Sequence, residues 1–273
     1  MNRLEIADII VNKIQSSIDE ISLQYEKSKE KIGYFYIDDL LPDDIARNIF
    51  SCFPDGKNMR LKKSLKEYKF IAAQMDQYNP ILEEAIYAFQ DPRVVELISK
   101  ICKISGLYPD ENLYAGGISL MGDKHFLNPH LDNSHDKERE RWRVLNLLYY
   151  VTPEWPIENG GNLEIWPDGL QNPQITIHSK FNRLAVMATH DASWHSVSPI
   201  SSNGSARGCV SNYYFSDKSL RSTDQFHVTS FRGRPEQVLR DIFLQADIKA
   251  RMAVRKIFKK GIVENPHVYK KEK

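Results

Sequence analysis

The sequence predicts a mainly β protein, a barrel or double-sheet jelly roll with flanking α-helices, an architecture that includes the cupins. Three observations point that way. Between Leu113 and Phe215 the chain divides into eight short runs with strand character, at 113–121, 126–132, 144–151, 162–166, 174–178, 183–188, 194–199 and 208–215. Loops rich in Gly, Asn, Asp and Pro separate them, as at Gly160-Gly161-Asn162 and Pro167-Asp168-Gly169. On both sides of this region the apolar period is that of a helix.

The elements follow in order. Residues 2–30 carry Ile10, Ile14, Ile18, Ile21 and Tyr25 three or four apart, which predicts one amphipathic packing helix. Gly33-Tyr34-Phe35-Tyr36-Ile37 reads as a short strand, and Pro42-Asp43-Asp44 opens a helix running to about Phe53. Asp91-Pro92 starts another, carrying Val94, Val95, Leu97, Ile98 and Ile101 and closing near Gly106. Beyond the eight strands, Arg234-Pro235-Glu236-Gln237 begins a long helix expected to end near Gly261. The Lys-rich tail from Glu264 to Lys273 reads as a solvated end. The helices at 2–30 and 235–260 suit buttressing of the sheet, and their apolar stripes would also allow dimerisation. No repeat or low-complexity linker divides the chain. Residues 1–112 are therefore expected to support a β core at 113–216, with a helical extension at 217–273, in one integrated domain.

Composition narrows the function. Hydrophobic residues at 41% and charged residues at 27% give an ordinary globular balance. A net charge of +1 makes no case for nucleic acid as a partner. Cys52, Cys102 and Cys209, odd in number and widely spaced, suit reduced thiols rather than a disulfide framework. The N-terminus has acids where a signal peptide needs an apolar core, and no apolar run approaches the roughly 20 residues of a membrane span. The expected compartment is the cytoplasm, with no membrane partner.

The chemistry is concentrated in the β core. His130-Leu131-Asp132 is the only His-x-Asp in the chain. In a strand, residues i and i+2 face the same way, so His130 and Asp132 would present an imidazole nitrogen and a carboxylate to one point. His195, in Trp194-His195-Ser196-Val197, would bring a second imidazole from a distant strand. Two His and one carboxylate on one side of a metal form the facial triad of non-haem Fe(II) oxygenases. Arg207, heading the apolar run Cys209 to Phe215, is then available to hold a carboxylate-bearing co-substrate through a two-pronged hydrogen bond. His190 competes with His195 but lies in a loop without the following Val-x-Pro context, so His195 is preferred. His125 and His135 flank the first motif as neighbours of the ligands or as exposed residues.

These residues resemble the prolyl 4-hydroxylase-like branch of the Fe(II)/2-oxoglutarate dioxygenases. The resemblance runs over roughly residues 113–216. It is carried by His130-Leu131-Asp132-Asn133, Leu148-Tyr149-Tyr150-Val151 with Trp155, Gly160-Gly161-Asn162-Leu163-Glu164-Ile165-Trp166, Arg183-Leu184-Ala185-Val186, Trp194-His195-Ser196-Val197 and Arg207. Residues 33–53 also look like the strand-then-helix entrance to such domains. The resemblance implies a double-stranded β-helix in which His130, Asp132 and His195 hold Fe(II). Arg207 would pair with the distal carboxylate of 2-oxoglutarate, and Tyr150 would either place its hydroxyl on that carboxylate or serve as a core aromatic. Gly160-Gly161 would form a tight turn. The implied activity is hydroxylation by O2 coupled to decarboxylation of 2-oxoglutarate to succinate and CO2, with ascorbate admitted as an auxiliary. Retention of Asp132 favours hydroxylation over halogenation.

One departure lies upstream, where Leu120 stands at the place of a tyrosine common in hypoxia-type enzymes. Part of the co-substrate pocket is expected to differ. The substrate is expected to be a peptidyl proline, an amino acid, a sugar or another small metabolite, because one scaffold hosts many. Trp155, Trp166, Trp194 and Arg143 are candidates to line its pocket, or barrel packing and a surface charge. A cupin-like metal- or sugar-binding protein without oxygenase activity is the alternative, and a Zn hydrolase a third reading. Neither gains anything from a cation at Arg207.

Overall fold

All eight strand runs form strands in the computed structural model, which describes residues 1–257 and 267–270. The chain begins with helices Arg3–Ser16 (α1) and Ile18–Ser28 (α2), strand Tyr34–Ile37 (β1) and helix Asp43–Ser51 (α3). A hairpin of Arg60–Lys63 (β2) and Glu67–Ala72 (β3) follows, then helices Pro80–Ala88 (α4) and Pro92–Cys102 (α5) and strand Leu107–Pro109 (β4). The central strands are Gly117–Met121 (β5), Phe126–Leu131 (β6), Trp142–Tyr150 (β7), Leu163–Ile165 (β8), Ile175–Ile177 (β9), Arg183–Ala188 (β10), His195–Val197 (β11) and Arg207–Ser216 (β12). Strand Ser230–Phe231 (β13) and helix Val238–Ile257 (α6) complete the named elements.

The pairing is antiparallel throughout, in the order β1-β10-β7-β12-β5 on one side and β6-β11-β8-β9 on the other. β3 joins the two sides. Its Phe70, Ile71 and Ala72 pair with Leu120, Ser119 and Ile118 of β5, while Glu67 and Tyr68 pair with Leu127 and Phe126 of β6. The result is the expected mainly β double-stranded β-helix with flanking helices, a half-barrel closed along one edge.

Strand alternation divides the interior. On β7, Leu145, Leu147 and Tyr149 face a layer built from α1 to α5, whose buried Ile6, Ile10, Ile14, Leu82, Ile86, Val94 and Ile98 complete the main core. Asn146, Leu148 and Tyr150 face the opposite way, into the barrel. The open edge at β1 is covered by side chains of α2. Gln24 accepts from Tyr36 N–H and donates to its carbonyl, and the Ser28 hydroxyl does the same for Tyr34. An edge strand with its polar groups occupied cannot template pairing with another chain.

Several expectations are corrected. The helix expected over 2–30 is broken at Ser17, whose φ of −114° leaves the helical region. The Ser16 hydroxyl folds back onto the Lys13 carbonyl, competing with the helical ladder. The reorientation lets both Ile14 and Ile21 reach the core. α5 stops at Cys102 rather than near Gly106, because Lys103 adopts a left-handed cap at φ 55°. β5 begins at Gly117 rather than at residue 113, because the Asp110 carboxylate collects the N–H groups of Tyr114, Ala115 and Gly116 in a turn. The hairpin β2–β3, the helix α4 and the short strands β4 and β13 are additional. β2 is Arg-Leu-Lys-Lys, and pairing rather than an apolar pattern makes it a strand.

At the C-terminal end, the expected helix stop near Gly261 lies outside the described residues. α6 starts at Val238 and buttresses the sheet through Leu244, which packs with Leu127 and Phe231. Its Val238, Leu239, Ile242 and Phe243 are exposed. Of the tail expected to be solvated, residues 267–270 are described, and there Val268 and Tyr269 are buried. Tyr269 N–H donates to the Asn112 carbonyl and its hydroxyl to Glu83, so this segment is docked onto the body. Among the described residues no helix is long and apolar enough to cross a membrane, and the three cysteines are unpaired.

The segment before α6 is held to the barrel by a buried ion pair. Arg234 Nη2 lies 2.7 Å from Glu164 Oε2, which also accepts from the Ser196 hydroxyl at 2.6 Å. Removing one member leaves the other charge buried alone. Glu164→Ala is expected to lower stability by about 3–5 kcal/mol in urea unfolding, and Arg234→Met on that background should recover part of it.

Candidate active site

Alternation and register place the three expected metal ligands together. His130 on β6 and His195 on β11 are direct cross-strand partners, with ring centroids 4.0 Å apart. Between this pair and the next, Val197 with Leu127, β6 carries one residue more than β11. That bulge, spanning Asn128 and Pro129, re-aims the strand so that Leu127 and His130 both face inward. Asp132 follows just past the strand end. Its Oδ1 lies 3.6 Å from His130 Nε2 and its Oδ2 lies 3.7 Å from His195 Nε2. The ligand atoms of all three residues fall within 4.8 Å of one another.

The donor set suits a divalent metal. His130 Nδ1–H donates to the Asn128 carbonyl at 3.0 Å, and His195 Nδ1–H donates to the Ser193 carbonyl at 2.9 Å. A backbone carbonyl can only accept, so the neutral tautomer of each ring carries its proton on Nδ1 and presents Nε2 to the common centre. Asp132 Oδ2 is buried without a hydrogen-bond partner, an arrangement that bare protein leaves unfavourable and a cation would satisfy.

Charges around the centre fix its protonation. Burial would raise the Asp132 carboxyl, but the adjacent His130 and His195 imidazoles and the Arg143 guanidinium outweigh it and hold it well below the usual carboxylate range. Arg143 Nη1 is 3.6 Å from Asp132 Oδ1, and its guanidinium lies 4.4 Å from the Tyr213 ring. Burial, with the neighbouring His130, pushes His195 down to about 4. His195 is therefore neutral at physiological pH and ready to ligate.

Arg207 and Tyr150 face the triad from the other sheet. Inward positions on β12 pair with inward positions on its neighbours: Arg207 with Met121, and Cys209 with both Ser119 and Tyr150. The Arg207 guanidinium carbon sits 5.1 Å from the centre of the Tyr150 ring, and both residues are buried. Arg207 Nη2 donates to the Met121 sulfur at 3.1 Å, and its Nε has no partner. Burial pushes the Tyr150 hydroxyl up, so it stays protonated as a donor. Gly160 and Gly161 make the expected turn, at φ 75° and 69°. A Cβ on Gly161 would stand 3.1 Å from Arg207 Cδ, so the turn presses against the arginine stem.

Two connected spaces meet at the triad. The inner one, about 120 Å³, is lined by His130, Asp132, His195, Tyr150, Arg207 and Met121 among others. The outer one, about 800 Å³, opens to solvent and shares His130 and Asp132 with the inner. The triad stands at the neck between them.

Other expectations resolve differently. His190 does not join the triad; it borders a small recess behind Asp132 and Arg143. Its Nδ1 accepts from Ala192 N–H, and burial, reinforced by Arg221, lowers its pKa to about 4. His135 lines the outer cleft, whereas His125 stacks on Tyr68 with centroids 3.9 Å apart. Trp155 and Trp166 are packing residues whose indole N–H groups donate to the Gly160 carbonyl and the Ser196 hydroxyl. None of Trp155, Trp166 and Trp194 lines either space, while Arg143 lines the outer one. Leu120 points into the main core, and its neighbours Ser119 and Met121 line the inner cavity, so Met121 occupies ground beside Arg207. Sequence reasoning missed Lys62 and Lys69 on the hairpin and His267 in the tail, all of which line the cleft. The run Tyr68-Lys69-Phe70-Ile71-Ala72 carries enough β-forming residues to have revealed the strand, but nothing local points it at the site.

With the geometry in place, the comparisons are consistent. Residues 116–215, which contain the triad, Tyr150 and Arg207, match the sequence model of the 2OG-Fe(II) oxygenase superfamily. No curated protein matches the sequence. Among solved structures the chain is similar to a Pseudomonas putida prolyl-4-hydroxylase, at 14% identity and TM-score 0.53 over 72% of this chain and 98% of that one. It is similar to the prolyl 4-hydroxylase structure from Phytophthora capsici, at 16% identity and TM-score 0.56 over 93% and 80%. It also resembles the non-heme alpha-ketoglutarate-dependent carbocyclase SnoK of nogalamycin biosynthesis, at 14% identity and TM-score 0.52 over 81% and 91%. At these identities the likeness establishes the fold.

Two measurements check this geometry. Gly161→Ala should raise the Kd for 2-oxoglutarate about tenfold by displacing Arg207, while the affinity for a divalent metal stays unchanged. In metal-free protein, unfolded His190 takes up a proton near pH 6.5 that the folded residue refuses until about 4. Its contribution to stability is present above pH 6.5 and is lost as pH falls towards 4. The stability difference between the parent and His190→Gln should therefore shrink by up to about 3 kcal/mol across that window.

Proposed function

We propose that this protein is an Fe(II)- and 2-oxoglutarate-dependent dioxygenase that hydroxylates a C–H bond of a peptidyl proline or a small metabolite. One observation carries the reading: two imidazole Nε2 atoms and an unsatisfied carboxylate converge at a cavity neck, facing a buried arginine across the inner space. A metal-binding protein that performs no chemistry on a dicarboxylate gains nothing from that arginine, whose burial costs desolvation.

His130, Asp132 and His195 would hold Fe(II) on one face, leaving the opposite positions for ligands. Arg207 would take the distal carboxylate of 2-oxoglutarate with a charge-assisted, two-pronged hydrogen bond, and Tyr150 would donate its protonated hydroxyl to the same group. Met121 sets the depth of that pocket beside the guanidinium. Arg143 supports the ionised form of Asp132 from the cleft side. Bound iron would supply the oxidation of the substrate C–H bond by O2, one oxygen atom going to the substrate and one to succinate as CO2 leaves. The protein's own contribution is orientation: co-substrate inside the neck and substrate outside it, with burial within the barrel limiting water. Because the same fold serves a prolyl hydroxylase and a carbocyclase, the substrate has to be argued from the cleft rather than from the fold.

Anaerobic addition of Fe(II) and 2-oxoglutarate should produce a visible metal-to-ligand charge-transfer band. His195→Ala should lose the band. Arg207→Ala should weaken 2-oxoglutarate binding about 10- to 100-fold while retaining metal. Stoichiometric metal uptake with no band would overturn the oxygenase reading.

Asp132→Ala should abolish hydroxylation of any substrate found. Full turnover in that variant would remove the triad from the mechanism.

A further inference from the structure

The outer cleft carries more positive charge than its own carboxylates balance. Its described lining includes Lys62, Lys66, Lys69, Arg143 and Arg251, against Glu67 and Asp132. Lys66 and Arg251 are both paired with Asp247, at 2.7 and 2.8 Å. Asp132 belongs to the metal site. Glu67 is left as the carboxylate facing the hairpin lysines, and it pairs with Lys69 at 3.2 Å. Lys62 has no carboxylate within ion-pair distance among the described residues, yet it is partly buried.

The register makes this arrangement costly. Lys62 and Lys69 are directly opposite one another on β2 and β3, and like charges in that position repel. Burial, with Arg60 and Lys69, outweighs the attraction of Glu67 and lowers the Lys62 ammonium below its ordinary value. Arg143 adds a guanidinium that is 5% exposed and whose Nε lacks any partner. An unpartnered buried Arg143 Nε on one wall, and the paired hairpin lysines sharing the single carboxylate Glu67 on the other, suit a shared anion. The same cleft offers an apolar floor at Ile71, Leu127, Val228 and Phe231, suited to an organic body.

We propose that the outer cleft binds a small organic acid, a carboxylate or a phosphate monoester, through Lys62, Lys69 and Arg143. This deepens the oxygenase reading and rests on it for the statement that the bound acid is the substrate. The hairpin and α6 bound the cleft on two sides, joined across its rim by the Lys66–Asp247 pair. An enclosure of that size suits a small molecule. Lys62 borders the outer cleft alone, whereas Lys69 borders both spaces, so Lys62 separates this anion from 2-oxoglutarate held at Arg207.

Calorimetric titration with phenyl phosphate, benzoate and benzyl alcohol tests the proposal. It is run on the metal-free protein and on the protein loaded anaerobically with Fe(II) and 2-oxoglutarate. Both anions should bind, with the neutral alcohol about tenfold weaker or worse, and added salt should narrow the difference. Lys62→Met should weaken the anions about three- to tenfold while leaving the Kd of 2-oxoglutarate unchanged, and Lys62→Arg should restore binding. Lys62→Met/Lys69→Met should weaken them further, with circular dichroism confirming the fold. Preference for the phosphate or for the benzoate would identify which anion the cleft takes. Equal binding of the alcohol, unchanged anion affinity in the double variant, or no anion binding at millimolar concentration would each overturn the proposal. Loss of the charge-transfer band with anion binding intact would instead remove the oxygenase reading and leave an anion-binding cleft.

Discussion

The direct pairing of His130 with His195 across β6 and β11 is the constraint on which the rest of the site depends. Two imidazoles on adjacent antiparallel strands can share a metal only if both face the barrel interior in the same register. A one-residue slip would turn one of them to the opposite face. The bulge at Asn128 and Pro129 sets that register, and proline suits it because it has no N–H to offer the ladder. Backbone carbonyls two residues before each histidine then fix both tautomers. The same local device is used twice, on strands far apart in sequence.

The second sheet contributes the opposite wall under the same rule. Residues facing the helices on β7, β10 and β12 are apolar and closely packed apart from Asn212, whereas those facing the barrel include Asn146, Tyr150, Arg207, Cys209 and Ser211. A sheet buried on both faces ordinarily reads as continuous apolar sequence. Here one face is polar because it surrounds a chemical site, and the helix layer supplies the stability that this face does not. Tyr214 and Asn212 reach across to carbonyls of Phe89 and Ile86, tying the sheet to α4 and the turn after it.

Electrostatics separates the two spaces at the neck. Inside, the buried Arg207 guanidinium faces the His130–Asp132–His195 cluster across the inner space, with Lys69 bordering both. Outside, Arg143 and the hairpin lysines surround the approach to the same carboxylate ligand. His130, Asp132 and His195 sit where the two fields meet, and the surrounding positive charge keeps Asp132 ionised despite burial. His195, lacking comparable compensation, is held neutral.

Much of this was legible in the sequence. The eight strand runs, the triad residues and Arg207 are all signalled by short-range features: alternation, Gly-Gly and Pro-Asp-Gly breaks, and an i, i+2 pair of metal-binding side chains. Sequence also exposed the unusual Leu120, although the consequence falls on Met121, since the odd and even positions of β5 face opposite ways. What local pattern could not decide was which distant segments complete the site. The charged strand β2 exists only because β3 pairs with it, and Lys62 and Lys69 become neighbours only through that register. Likewise, the segment with buried Val268 and Tyr269 is docked by bonds to Asn112 and Glu83, distant in sequence. Residue type and periodicity by themselves determined the barrel and the candidate triad, because those depend on side-chain direction along one strand. The cleft's charge and its walls were decided by tertiary structure, because they depend on long-range pairings that carry no local sequence signature.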